Sequence, residues 1–270
     1  MSAKERIVLI GFGNMGQALV RGWVAKRRDP SSIAIVDPVP ASLAVAAQLG
    51  VGTEERVDAT RGADVVVLAT KPNQLAEVLP LCAGFARGGA VFLSIAAGKT
   101  IAEIEKGLGQ GAAVVRAMPN TPAAIGRGIA ALVANAAVSR AQRALCGELL
   151  AAVGAVAWLD DEKHMDAVTA ISGSGPAYVF LLIDCLEHAA VELGLEAALA
   201  KQLALATVAG AGAYAAETAE APAELRRRVT SPKGTTQAAL DVLMAEPGMR
   251  ELLVRATDAA ARRSRELAKV

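Results

Sequence analysis

The residues that most directly suggest chemistry are three glycines, Gly11, Gly13 and Gly16, spaced as Gly-x-Gly-x-x-Gly. The apolar run 7–10 precedes them, which is typical of a buried parallel strand, and a helical pattern follows. At such a turn the first glycine permits a tight bend, the second lets the backbone approach a pyrophosphate, and the third lets the helix pack on the strand. The N–H groups at the helix start attract anions. The turn is therefore predicted to bind a dinucleotide, and simple turn chemistry is the alternative.

An acidic residue follows at the distance that ribose binding requires. The predicted strand 33–36 ends at Asp37, about 20 residues past the last glycine, where a carboxylate can hold the ribose 2′-OH. The same carboxylate repels a 2′-phosphate, so it favours NADH over NADPH. Arg56 is the nearby cation that could offset this repulsion. We expect NADH to be preferred and NADPH to be accepted.

The elements that position these residues alternate between strand and helix patterns. Such alternation predicts βαβ units on a parallel sheet, and ligands bind outside the carboxyl ends of its strands. Thr70, Lys71 and Pro72 follow the third strand, so we expect them near the cofactor, although Lys71 could be a plain surface lysine. The further predicted strands are 63–70, 90–97, 114–118, 128–134 and 156–159, and the helices are 42–49, 74–81, 100–108 and 139–153.

From Asp160 onward the strand patterns cease and long helical patterns follow, at 164–171, 177–193, 197–216, 236–245 and 249–267. We therefore predict an α/β chain with a Rossmann-type parallel-sheet domain in residues 1–160 and an all-α domain in residues 161–270. The helices of the second domain are rich in alanine and leucine and apolar on several faces. They need more burial than one copy supplies, so we expect a homodimer through this domain.

Composition excludes several classes of partner. The 28 basic and 27 acidic residues nearly balance, so nothing favours nucleic acid or an anionic membrane surface. Cys82, Cys146 and Cys185 lack the spacing of a metal site, and we expect buried reduced thiols. No signal peptide is visible, and the longest weakly polar stretch, 203–216, is shorter than the roughly 18 residues of a membrane span. A cytoplasmic protein is expected.

Three further stretches are Met118-Pro-Asn-Thr-Pro122, residues 170–180 (AISGSGPAYVF) and residues 229–240 (VTSPKGTTQAAL). Together with the glycine turn and Ala69-Thr-Lys-Pro72 they resemble, in order, the pyrroline-5-carboxylate reductase family. The resemblance runs from about residue 7 to residue 240. It implies a Rossmann domain, a helical dimerisation domain and often rings of dimers. It also implies reduction of L-1-pyrroline-5-carboxylate to L-proline by NADPH or NADH, the last step of proline biosynthesis.

The resemblance also implies substrate-binding residues. Glu162 falls where the family has an acidic residue near the substrate, and Thr235 and Thr236 fall where it binds the substrate carboxylate. Thr236 is also the candidate to hydrogen-bond the imine nitrogen, and it is our catalytic candidate. Gly234-Thr-Thr opens a helix whose N–H groups suit a carboxylate, while the alternative is that Thr235 is only an N-cap.

The Ser172-Gly-Ser-Gly-Pro176 turn is either a flexible start to a helix or a place where ligand approaches the backbone closely. We assign Ser172 to the substrate and Ser174 to the cofactor. The full set of candidate cofactor-binding residues is Ile10, Gly11, Phe12, Gly13, Asn14, Met15, Gly16, Asp37, Ala69, Thr70, Lys71, Pro72, Ala96, Ala97, Gly98 and Ser174.

Two residues depart from the family pattern. Asp37 is one, because its carboxylate disfavours a 2′-phosphate whereas many family members prefer NADPH. Lys233 is the other, because it replaces a glycine of the usual Ser-Pro-Gly-Gly-Thr stretch. Since lysine does not adopt positive φ cheaply, we expect a loop conformation open to L-residues. The Lys233 ammonium either attracts the substrate carboxylate or points to water.

Three other functions share parts of this pattern. Dehydrogenases of the β-hydroxyacid and 6-phosphogluconate group need a helix lysine, whereas this chain has Pro176-Ala-Tyr and no lysine until Lys201. A reductase of another cyclic imine would need the same residue types, so the sequence leaves this alternative open. A dinucleotide-binding scaffold without turnover would tolerate degraded chemistry at 229–240, yet both threonines are intact. His164 and His188 lie in no nucleophile or metal pattern.

Overall fold

Eight strands form one sheet in the computed structural model, which describes residues 5–268. The spatial order is β3-β2-β1-β4-β5-β6-β7-β8, and every neighbouring pair is parallel except β6 and β7. The order 3-2-1-4-5-6 is that of doubly wound dinucleotide-binding folds. The strands are β1 Ile7–Ile10, β2 Ile33–Val36, β3 Gly52–Glu54, β4 Val65–Leu68, β5 Val91–Ser94, β6 Ala113–Met118, β7 Gly128–Ala134 and β8 Gly154–Trp158.

The seven strands that the sequence predicts are all present, and two features differ from expectation. The edge strand β3 was missed because three residues without an apolar pattern give no periodic signal. The sheet is also not wholly parallel, because β7 runs antiparallel to β6. Residues 119–127 connect these two strands, whereas a parallel crossover needs a dozen or more residues.

The helices of the Rossmann part begin where the sequence supplies caps. Thr100 and Glu103 form a reciprocal capping box at one helix, and Ser139 and Gln142 form another. The predicted helix 74–81 is instead broken into short helical turns. Pro80 is the cause, because it lacks an N–H group and its ring disturbs the preceding turn. The helices are α1 Asn14–Ala25, α2 Pro40–Ala47, α3 Leu75–Val78, α4 Ala83–Arg87, α5 Ile101–Leu108 and α6 Arg140–Ala151.

Both faces of the central strands are buried. Ile7 and Leu9 of β1 face one apolar cluster, while Val8 and Ile10 face the other. This two-sided burial explains why the strands read as unbroken apolar runs in the sequence. The buried Trp23 of α1 donates from Nε1 to the carbonyl of Leu149 at 2.8 Å, so even the largest core side chain has a polar partner. The sheet therefore offers a fixed edge from which loops project.

The chain divides into two compact units. The first runs to Gly173 and resumes at Ala261, and the second is Ser174–Ala260. The domain boundary at residue 160 stays a prediction beside this division. No strand follows β8 in the described chain, as predicted, although helix α10 was missed. The later helices are α7 Met165–Val168, α8 Gly175–Glu192, α9 Ala197–Thr218, α10 Pro222–Arg228, α11 Thr235–Leu243 and α12 Met249–Leu267.

The apolar residues of α8 are largely exposed within one chain. The helical run Glu162–Glu192 is long and apolar enough to cross a membrane by length and composition. Its most apolar 18-residue window has a mean hydropathy of 1.4, and 6 % of that window is buried. The expectation that no stretch reaches this length is therefore wrong. Cys185 on α8 is also exposed, which corrects the expectation of three buried thiols. A surface of this kind is suited to cover by another protein or by lipid.

Candidate active site

Backbone hydrogen bonds bring the turns after four strands to one edge of the sheet. Gly11 N–H donates to the carbonyl of Val36 at 2.8 Å, and Ala69 N–H donates to that of Ile10 at 2.8 Å. Ile95 N–H donates to the carbonyl of Leu68 at 3.1 Å. The candidate cofactor residues of the first unit, in the stretches 10–16, 69–72 and 96–98 and at Asp37, therefore share the carboxyl edge where such sheets bind ligands.

The three glycines of the turn play different parts. Gly11 has φ +92°, and a Cβ there would lie 2.8 Å from the backbone of Ala69 and Thr70. A Cβ on Gly16 would lie 2.7 Å from the Gly11 carbonyl oxygen, so these two glycines allow close packing. Gly13 caps α1, and nothing lies within 4 Å of its Cβ position. The open space at Gly13 and the unpaired N–H groups of the first turn fit a phosphate.

Thr70 provides a second sign that a ligand fits this edge. Its Oγ1 is buried and has no hydrogen-bond partner. Among the described residues it is the one buried side-chain nitrogen or oxygen of which this is true. A buried unpaired hydroxyl costs free energy, on the order of 1–3 kcal/mol, unless a ligand or water satisfies it. The neighbouring Lys71 and Pro72 are exposed. The residues present therefore fit a bound dinucleotide.

One of the cofactor candidates after β5, Gly98, lies beside the end of the chain. Ala96 and Gly98 are buried, whereas Ala97 is exposed. Gly98 has φ +75°, and a Cβ there would lie 3.6 Å from Leu267 Cβ at the end of α12. Near this point Ser264 donates to Asp166 Oδ1 at 2.6 Å. No local sequence signal pointed to this return of the last helix.

Asp37 is buried, and both of its carboxylate oxygens accept backbone hydrogen bonds. Oδ2 accepts from Phe12 N–H at 2.7 Å, and Oδ1 accepts from Val39 N–H at 2.9 Å. The carboxylate thus ties the glycine turn to the loop after β2. Each oxygen keeps a further lone pair for a ribose hydroxyl. Asp37 therefore has a structural task besides the coenzyme choice predicted for it.

Glu162 also has partners within the first unit. Its Oε1 accepts from Arg116 Nη1 at 2.7 Å and from Ile101 N–H at 2.9 Å. Arg116 is buried on β6, so the carboxylate neutralises a buried guanidinium and satisfies an N–H group at the start of α5. Its assignment to the substrate stays a prediction.

The other acid at the start of α5 is held ionised. Burial opposes ionisation of Glu103, but hydrogen bonds from Thr100 and Lys99 outweigh it and lower the pKa of Glu103 below its ordinary value. Glu103 completes the capping box with Thr100. The loop that ends at Gly98 therefore leads into a well-anchored helix.

Ser172 lies in a π-helical turn, Thr169–Gly173, at the end of the first unit. Its hydroxyl donates to the carbonyl of Val168 at 3.0 Å, and its own carbonyl accepts from Asn120 Nδ2 at 3.0 Å. Asn120 belongs to the Met118–Pro122 stretch, to which the sequence assigned no role. Turns of this π type are frequent at functional sites.

The second unit carries Ser174 and the Gly234-Thr-Thr stretch. Ser174 immediately precedes α8, and Gly234 is the N-cap of α11, which begins at Thr235. The alternative that Thr235 is an N-cap is therefore wrong. Thr235 is exposed and Thr236 is half-buried, so two hydroxyls and the unpaired N–H groups of one helix start lie together. This is an arrangement that suits a carboxylate.

Lys233 contradicts the expectation for its loop. It has φ +60°, in the left-handed region. Pro232 and Lys233 are the central residues of a turn that Gly234 N–H closes by donating to the Ser231 carbonyl at 3.0 Å. A turn with proline second and positive φ third ordinarily carries glycine at the third position. The turn therefore imposes the conformation at a cost of about 1 kcal/mol.

The strand order and the ligand-ready carboxyl edge define the class, a nicotinamide dinucleotide oxidoreductase with a Rossmann unit and a helical unit. Residues 6–98 match the family model "NADP oxidoreductase coenzyme F420-dependent", and residues 162–267 match "Pyrroline-5-carboxylate reductase dimerisation". The chain is 45 % identical to pyrroline-5-carboxylate reductase of Pseudomonas aeruginosa, over 97 % of both chains. It belongs to the pyrroline-5-carboxylate reductase family.

Solved structures agree with this placement. A pyrroline-5-carboxylate reductase from Coxiella burnetii is 39 % identical with a TM-score of 0.93, covering 99 % of this chain and 100 % of the other. The Plasmodium falciparum enzyme, solved with NADP bound, is 26 % identical with a TM-score of 0.83, covering 98 % and 99 %. The fold class predicted from the sequence is thereby confirmed.

Proposed function

We propose that this protein reduces L-1-pyrroline-5-carboxylate to L-proline with NADPH or NADH, as the last step of proline biosynthesis in the cytoplasm. The observation that carries the proposal is the start of α11, where Gly234 caps a helix that opens with Thr235 and Thr236. A cyclic imine with a carboxylate needs an anion site and a hydrogen-bonding group at nitrogen, and this helix start offers both chemistries.

Most of the cofactor-facing groups would come from the first unit, and Ser174 would come from the second. The bound dinucleotide supplies the hydride. The open backbone at Gly13 and the first turn of α1 would hold its pyrophosphate, and Asp37 would accept from a ribose hydroxyl. Thr70 Oγ1, buried and unpaired, would gain a hydrogen-bond partner. Ala96, Ala97 and Gly98 would line the same edge.

The groups that bind the substrate carboxylate and nitrogen would come from the second unit. Thr235, Thr236 and the N–H groups of the first turn of α11 would bind the substrate carboxylate. The Thr236 hydroxyl would hydrogen-bond the ring nitrogen and orient the C=N carbon to receive the hydride. The iminium form already carries its proton, so nitrogen becomes the amine without a strong acid. Glu162 and Ser172 remain candidate substrate residues.

We also propose the organisation that this reaction needs. Residues 1–160 would bind the dinucleotide, and residues 161–270 would bind the imine and form a homodimer, in a ring of dimers or alone. The exposed apolar residues of α8 call for a covering partner other than nucleic acid, and the name of the matched family model supports a protein over a membrane. Light scattering that gave a stable monomer at micromolar concentration would overturn the dimer.

The function is tested by supplying the purified protein with pyrroline-5-carboxylate and following the oxidation of NADH and of NADPH separately. Rapid turnover with either coenzyme supports the proposal, and the ratio of the two kcat/KM values tests the role of Asp37. Binding of both coenzymes without turnover would refute it. The six-membered analogue, piperideine carboxylate, is the control for a reductase of another imine, which would prefer that substrate.

A further inference from the structure

Asn120 is buried, and both the oxygen and the nitrogen of its side-chain amide make hydrogen bonds. Its Oδ1 accepts from Ile129 N–H at 2.9 Å, at the start of β7, and its Nδ2 donates to the Ser172 carbonyl at 3.0 Å. It thus connects the end of β6 to the π-helical turn. Neither bond concerns a dinucleotide or an imine directly.

The Ser172 carbonyl needs a hydrogen-bond donor from outside its own helix, because the residue four positions later is a proline. In an α-helix this carbonyl accepts from the N–H group four residues later. Four residues after Ser172 the chain has Pro176, which has no N–H. A proline ring also disfavours a regular helix at the carbonyl four residues before it, and residues 169–173 are π-helical. Asn120 Nδ2 supplies the missing donor.

The next residue, Gly173, lies beside the same stretch. A Cβ on Gly173 would lie 2.6 Å from Met118 Cε, the end of a flexible side chain, so a larger residue here would require Met118 to move. The Met118–Pro122 stretch therefore holds Ser172 by a hydrogen bond and has Met118 next to Gly173. The two sequence stretches are complementary surfaces of one unit.

We propose that Asn120 is a positioning residue of the reductase, which fixes the backbone of Ser172 and Gly173 and so places the Ser172–Ser174 turn for substrate and nicotinamide. The inference rests on the proposed function for its kinetic consequence. Asn120 acts through Ser172 and touches neither reactant. Loss of its amide donor leaves the Ser172 carbonyl unpaired and frees the turn.

The chain contains a matched control for this role. Asn135 Oδ1 accepts from Val114 N–H at 3.1 Å, and its Nδ2 donates to the Ala112 carbonyl at 2.8 Å. It therefore makes the same pair of bonds as Asn120, at the opposite end of β6 from the candidate site. Asn120→Asp and Asn135→Asp each keep the acceptor oxygen and replace the donor by a carboxylate oxygen that faces a carbonyl.

The experiment measures kcat, substrate KM and NADPH affinity for both variants, with hydrogen–deuterium exchange over residues 165–177. Asn120→Asp should lose kcat/KM at least tenfold, since small misplacements cost on the order of 10²-fold, while NADPH affinity stays within about twofold. Its 165–177 amides should exchange at least about tenfold faster. Asn135→Asp should show neither change and a similar loss of thermal stability.

Two results would overturn the inference. One is equal kinetics and equal 165–177 exchange in the two aspartate variants. The other is a loss of NADPH affinity that parallels the loss of kcat/KM, because the residue would then act on the cofactor. If Asn120→Asp does not fold, Asn120→Ser takes its place in both measurements. Absence of turnover in the unsubstituted protein refutes the proposed function alone, and the exchange comparison then decides the inference.

Discussion

The two units of this chain bury their apolar residues to different extents. All four residues of β1 and all four of β4 are buried, whereas none of the 18 residues of α8 is buried. In α9, only Ala200 and Ala204 are buried. A parallel sheet with helices on both faces finishes its core within one chain, because the same strands feed two apolar clusters. The helical unit leaves its apolar surface for another molecule to cover.

The polar groups of the two units also differ in whether the unit itself supplies their hydrogen-bond partners. In the first unit, Asp37, Asn120 and Glu162 have partners far away in the sequence but inside the unit. In the second unit the candidate groups, Thr235 and Thr236, sit at a helix start where the backbone N–H groups are unpaired. The first unit uses its polar side chains to hold its loops, while the second leaves the groups that we propose for ligand binding at an open helix start. The following experiments test this contrast.

The largest effect is expected at Thr236, since the proposed function places this hydroxyl on the substrate. Thr236→Val keeps the shape and removes the hydroxyl, and it should lower kcat/KM by about 10²–10³-fold, as for loss of a donor made strong in the transition state. Thr236→Ser keeps the hydroxyl and should retain activity within about tenfold. Steady-state kinetics decide. Equal activity of the valine and serine variants would remove Thr236 from the chemistry.

The glycine turn should separate packing from ligand binding in the first unit. Gly16→Ala places a Cβ 2.7 Å from a backbone oxygen, and it should destabilise the protein by about 1–3 kcal/mol. Gly13→Ala meets open space, so stability should change by under about 1 kcal/mol while NADPH affinity falls about tenfold or more. Chemical denaturation and nucleotide titration test the pair. Normal NADPH binding by Gly13→Ala would contradict the assigned pyrophosphate site.

Exposed apolar residues should be needed for dimer formation in the second unit only. Phe180 on α8 is 62 % exposed, and Leu81 in the first unit is 60 % exposed. Phe180→Glu should convert the dimer to monomer at micromolar concentration, because a charge would be buried without a partner. Leu81→Glu, the control, should leave the mass unchanged. Dissociation by Leu81→Glu instead would place the interface on the Rossmann unit.

Buried thiols should make the first unit sensitive to alkali. Burial raises the pKa of Cys82 and of Cys146 from an ordinary 9.0 to about 12. A raised folded-state pKa stabilises the fold fully below pH 9 and loses that contribution as the pH rises from 9 to 12. Urea unfolding at rising pH should show this loss, and Cys82→Ala with Cys146→Ala should reduce it. A thiol reagent at neutral pH should label the exposed Cys185 first.

The smallest effect is expected at Lys233. Lys233→Gly relieves a left-handed lysine but gives the unfolded chain more freedom, so the free energy of unfolding should change by less than about 1 kcal/mol. Activity should stay mostly intact, since the side chain is exposed. Kinetics and thermal unfolding measure both. A loss of kcat/KM beyond about tenfold would show that the ammonium binds the substrate carboxylate.

What the sequence determined by itself is what short-range chemistry controls. The strand 7–10, the glycine turn and the helix at 100–108 appear as predicted, because apolar runs, glycine turns and N-caps depend on neighbouring residues. The pairing direction of β7 and the existence of β3 depend instead on which strands meet. The broken helix at Pro80 could have been read from the sequence, since proline acts locally.

Only the tertiary structure decided the partners of buried polar groups. Glu162 meets Arg116 across 46 residues, and Asn120 meets Ser172 across 52 residues. Such pairs leave no periodic trace, because a carboxylate or amide accepts many partners and the fold selects one. Lys233 makes the same point for the backbone, since a hydrogen-bonded turn imposed the positive φ that its residue type disfavours.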